Sequence, residues 1–123
     1  MGKYDKLLSY IDYFEHADDK AGGWVFPPSG SPYTEYELQF NSFIKDVYDS
    51  DILNTKYLEH LDPYLKANQD IRTLVPTADL DLLIAIFTYF IRQDRFCEGL
   101  WIGAIIDKTF YNILTRLKIT FSE

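Results

Sequence analysis

The chain is poor in the residues on which small-protein chemistry is most often built. It has one cysteine, Cys97, and two histidines, His16 and His60. A lone cysteine excludes an internal disulfide framework and a cysteine-based structural zinc site. No two histidines stand at the i, i+4 spacing that grips a metal on a helix. His16 with Glu15, Asp18 and Asp19, and His60 with Glu59 and Asp62, therefore read as solvated helix ends, and no metal or cofactor is expected. Gly22, Gly23 and Gly30 make no phosphate loop, because no Lys-Ser or Lys-Thr follows them. There is no G-x-S-x-G elbow to carry a serine nucleophile. Long apolar runs are absent too: Leu80 to Ile91 falls short of the roughly 20 residues that span a bilayer, and no secretory h-region opens the chain. The expectation is a cytoplasmic protein with no membrane partner. Basic residues are outnumbered 12 to 19, for a net charge of −7, so the averaged field repels phosphate backbones and duplex nucleic acid is excluded as a partner.

What is abundant is aromatic. Ten Tyr, nine Phe and two Trp supply 17% of the 123 residues, more than a core of this size needs for packing, so some rings should lie at the surface or line a cleft. With 47% apolar and 25% charged residues the composition is that of a globular protein, and the length allows one domain, residues 1–123.

The pattern along the chain predicts a mainly α fold of about five helices with at most one short β-hairpin. Tyr4, Leu7, Leu8, Ile11 and Phe14 mark an amphipathic first helix from Tyr4 to His16. Gly and Pro punctuate a loop from Ala17 to Pro32 that still carries Trp24, Val25 and Phe26. Tyr36, Leu38 and Phe40 alternate like a short strand, a partner for Trp24 to Phe26. Asn41 or Ser42 caps a helix to Tyr48, and Asn54 or Thr55 caps a third that ends near Pro63. Tyr64 to Val75 reads as irregular or weakly helical. Leu80 to Ile91 is apolar nearly all round and should be the central helix, with Asp79 and Asp81 at its positive end. Leu100 to Ile106 is apolar again, and Thr109 caps a last helix bearing Phe110, Ile113, Leu114 and Leu117.

Tyr89 through Gly99, YFIRQDRFCEG, resembles the specific motif of a bacterial and phage domain-of-unknown-function family, Tyr-x-x-Arg-x-x-Arg-Phe-Cys-acid-Gly. The resemblance extends over nearly the whole chain. It includes an opening K-Y-x-K-L-L-x-Y-I-x-Y-F helix at Lys3 to Phe14, a Gly-Trp pair at Gly23 and Trp24, and a middle helix ending at Val47 to Asp51. The chain departs from that family at Trp101, Ile102 and Lys108, where smaller residues and Gly are usual. The resemblance implies the fold and singles out the motif; it names no chemistry.

Within the motif, Arg92 and Arg95 stand three apart and share a helix face, near Tyr89, Phe96 and Gly99. Two guanidinium groups so close repel unless an anion lies between them. Glu98, Asp94 or another of the acidic residues can supply it; otherwise the pair is a fork for phosphate or carboxylate, with Tyr89, Trp24 or Trp101 stacking on a ring. Cys97 beside Arg95 has the setting of a reactive thiol but lacks a neighbouring base, and a small packed hydrophobe is its commoner role. The leading expectation is a non-catalytic binding domain for a small anionic, partly aromatic ligand such as a nucleotide-derived signal. It would be held by Arg92, Arg95, Tyr89, Glu98, Trp24 and Trp101 in a cleft between the Arg92 to Gly99 turn and the Trp24 to Tyr36 loop. A protein-interaction module or homo-oligomer using an aromatic patch is the alternative, and a small enzyme using Cys97 the third.

Overall fold

The opening stretch folds as two helices rather than one, α1 (Asp5–Leu8) and α2 (Ile11–His16), in a computed structural model that describes residues 4–122; Lys3 lies outside them. The break falls at Ser9, whose hydroxyl donates to Lys6 O at 2.6 Å while the Tyr10 amide reaches back only to Leu7 O. A side chain that bonds the carbonyl three residues back competes with the helical ladder. Next come β1 (Gly22–Val25), β2 (Tyr33–Tyr36), α3 (Leu38–Asp49), α4 (Tyr57–Lys66) and a 3-10 helix at Ile71–Thr77. The chain continues with α5 (Leu80–Arg92), a 3-10 turn at Gln93–Arg95, α6 (Leu100–Ile106) and α7 (Thr109–Ser122). The described residues are thus mainly α with one antiparallel hairpin, and they hold seven α-helices where the periodicity suggests about five.

The hairpin is offset from its expected position. β2 pairs Tyr33 to Tyr36 with Val25 to Gly22, and the period-two run ends there, because Leu38 and Phe40 already belong to α3. Phe40, Phe43 and Val47 are buried at i, i+3, i+7, whereas Leu38 is 81% exposed, so the helical stripe prevails over the short alternation. Pro63, expected at the end of α4, sits inside it, and the helix forgoes the bond its amide would have made.

α5 is the central helix, packed against α4, α6 and α7. Asp79 caps it, its carboxylate accepting from the Leu82 amide at 2.9 Å. Leu83, Ala85, Ile86, Phe87, Phe90 and Ile91 are buried, and so is Thr88, whose hydroxyl donates to Ile84 O and accepts from the Asn54 amide. Beside it α7 buries Phe110, Ile113, Leu114 and Leu117 on one stripe. Phe14, Phe40, Phe43 and Phe110 meet edge-on or tilted at 4.8 to 6.2 Å and join α2, α3 and α7. Burying one such ring contributes about 2–3 kcal/mol. Much of the aromatic surplus is therefore core. Of the others, several are exposed, including Trp24, Phe26, Tyr33 and Phe96.

Lys108 joins the two ends of the chain. Its ammonium donates to Phe14 O, Glu15 O and Ala17 O at 3.1, 2.9 and 2.9 Å, closing the C-terminal end of α2. It does so from a left-handed backbone conformation, φ +68°, which favours glycine.

Candidate functional site: the turn after the central helix

The chain keeps right-handed helical dihedrals from Arg92 (φ −94°, ψ −27°) to Phe96 (φ −105°, ψ −13°) and then reverses at Gly99, φ +97°, to start α6. Asp94 holds the reversal: its carboxylate accepts from the Trp101 amide at 3.2 Å, at the open N-terminal turn of α6. Burial pushes the Asp94 carboxyl above its ordinary value, as does nearby Glu98, while the amides of Trp101, Gly99 and Leu100 pull the other way. The Trp101 indole donates to Phe90 O at 2.9 Å and packs on Tyr36 and Phe40 at 5.5 Å. Its ring and its donor are thus engaged within the chain.

The turn is locked to the hairpin. Glu98 accepts from the Thr34 amide at 2.7 Å and from its hydroxyl at 2.9 Å. The Trp24 ring lies over Gly99, so close that a Cβ there would meet it at 2.9 Å. Glycine is needed at 99 both for its positive φ and for that contact. Tyr36 Oη, on the same face of the hairpin, is buried without a well-formed hydrogen bond, and burial pushes its pKa up to about 12. The turn and the loop are therefore neighbours.

Among the described residues, Arg92 and Arg95 are the arginines whose guanidinium has neither a carboxylate nor a carbonyl partner. The chain has four arginines. Arg72 grips Asp70 through Nε and Nη2 and Asp107 through Nη1, and Arg116 donates to Ala78 O. Among the described residues neither Arg92 nor Arg95 makes an ion pair or a side-chain hydrogen bond. The Arg95 guanidinium instead lies 4.7 Å from the centre of the Phe96 ring, which is 70% exposed. Three positions apart and in near-3-10 geometry, Arg92 and Arg95 lie on one side of the turn. Tyr89 faces another way: it packs edge-on against Tyr57 and Phe90 and lines a groove with Gln69, Asp70 and Arg72.

Beside the turn a cavity of about 360 Å³ is lined by Trp24, Cys97, Glu98, Gly99, Arg72 and Asp107 over a floor of Phe90, Leu100 and Ala104. Its cation is Arg72, not Arg92 or Arg95. Arg72 is not legible from local spacing because Asp107 lies 35 positions away; the signal that could have found it is the D-x-R of Asp70 and Arg72, an N-cap acid followed by its own cation. Cys97 is exposed, and neither His16 nor His60 lines this cavity. His16 Nδ1 lies 2.9 Å from Asp12 O. Among the described residues no group of three or more His, Cys, Asp or Glu is arranged to hold a metal, and no helix is long and apolar enough to cross a membrane.

A protein-family model, described as Family of unknown function (DUF6508), matches residues 2–123. The chain belongs to this family. The match to DUF6508 runs through the hairpin, the central helix and the turn alike, so the site is part of what the family model spans. No curated protein and no solved structure matches the chain.

Proposed function

We propose that this DUF6508 member is a non-catalytic recognition domain that takes a small anionic, partly aromatic ligand on the turn from Arg92 to Gly99. One observation carries the reading: in a chain with an excess of acidic residues, the two arginines of this turn have no carboxylate among the described residues, while Arg72 has two. An uncompensated guanidinium pair favours an external anion such as a phosphate, which it can hold through paired N–H donors. Phe96, already under Arg95, offers a flat apolar surface to a ring on the same ligand. Nucleotide-derived compounds combine both features.

A protein-interaction surface is the second reading, favoured by the exposure of Phe26 (74%) and Phe96 (70%) on the linked hairpin and turn. Thermal shift over a panel of mono- and dinucleotides, with wild type and Arg95→Ala, tests the first reading. A ligand that raises the melting temperature of the wild type but not of the variant supports it. No shift across the panel, together with a concentration-dependent mass in light scattering, favours the second.

A further inference from the structure

The cavity between Trp24 and α6 differs in charge from the turn beside it. Its guanidinium, Arg72, is held by two carboxylates, and Glu98 adds a third at the rim, so anions are repelled there. One wall is the Trp24 indole, 45% exposed. The other is α6, where Gly103 interrupts an otherwise apolar helix. A Cβ on Gly103 would have nothing within 4 Å, and its φ is not positive, so neither packing nor backbone conformation within the chain calls for glycine. Glycine is the poorest helix former after proline, and a helix interior that keeps one leaves its backbone open to close approach from outside.

We propose that this cavity binds a planar cation of the guanidinium class, its face on the Trp24 indole and its N–H groups toward Glu98 Oε1, the carboxylate oxygen that does not bond Thr34; Asp107 already accepts from Arg72 and Thr109 and lends the site its charge alone. A flat cation suits an indole wall, a carboxylate oxygen accepts from its donors, and the bare surface at Gly103 leaves room for its thickness. The site is separate from the anion site of the turn and does not rest on it.

Calorimetric titration of N-acetyl-arginine amide into the full chain tests the proposal, with Gly103→Leu alongside. Gly103→Leu, which fills the space with a better helix former, should keep its melting temperature and bind on the order of tenfold more weakly or worse. N-acetyl-lysine amide should also bind more weakly, because a compact ammonium presents no flat face. Occupancy should slow thiol labelling of Cys97 at the rim. Absence of binding by the wild type at millimolar concentration overturns the proposal. So does a folded Gly103→Leu that binds as tightly, or equal binding of the lysine compound. The anion reading survives any of these results.

Discussion

Lys108 is the residue whose removal should be felt furthest along the chain. Its three bonds to the end of α2 are charge-assisted, and without them three helix-end carbonyls lose their partner. Lys108→Ala should cost about 2–3 kcal/mol in urea unfolding. Lys108→Gly loses the same bonds but relieves the left-handed backbone, so it should be roughly 1 kcal/mol more stable than the alanine variant. Equal stability of the two would mean that the positive φ stores no strain. The resemblance already marks this position as one where a smaller residue or Gly is usual, and the φ of +68° gives a physical reason for glycine. What no local pattern could show is the ammonium's reach across more than 90 positions to α2. Arg92 and Arg95 were legible for the opposite reason: a three-residue spacing is visible in the sequence, and the backbone keeps it.

The hairpin and the α5–α6 turn behave as one unit because two contacts fasten them. Gly99→Ala attacks both the positive φ and the Trp24 contact, and should cost about 1–2 kcal/mol while shifting tryptophan fluorescence toward that of exposed indole. If fluorescence is unchanged in a folded variant, Trp24 is not held by Gly99. Asp94 gives the unit a pH dependence. Its folded pKa is raised, so it favours the folded state below its unfolded value near 4, and that stability is lost as pH rises through the folded value. Asp94→Asn keeps an oxygen for the Trp101 amide and removes the titrating group. Between pH 4 and pH 7 its stability should fall less, or rise more, than that of the wild type in parallel urea titrations. Parallel curves would contradict the assignment. At this scale the sequence was only partly readable: a four-residue strand carries almost no periodicity, and Tyr36, Leu38 and Phe40 satisfied the strand pattern by chance across a strand–helix junction. α5 and α7 were legible because α5 is apolar nearly all round over several turns and the stripe of α7 repeats over as many.

For the whole molecule, opposite trends meet at acid pH. Asp46, whose carboxylate is held low by the Tyr10 hydroxyl and Lys6, and Asp70, held low by Arg72, favour the folded state above their unfolded values and lose that contribution as pH falls through the folded ones. At the alkaline end Tyr10 and Tyr36 are pushed up to about 12 by burial, so the fold should lose stability as pH rises past about 10. Phenolate absorbance should then show Tyr10 and Tyr36 ionising only as circular dichroism reports unfolding. Coincident titration of all phenols in a folded chain would contradict that picture.

The proposed recognition at the turn rests on two guanidinium groups that have no carboxylate among the described residues, and their own resonances report on it most directly. In a nitrogen-detected NMR titration with a nucleotide that stabilises the protein, the Arg92 and Arg95 Nε–H signals should move with a common saturation curve, while those of Arg72 and Arg116, already engaged, stay in place. Saturating binding that leaves the Arg92 and Arg95 signals unmoved would place the ligand elsewhere and contradict the account.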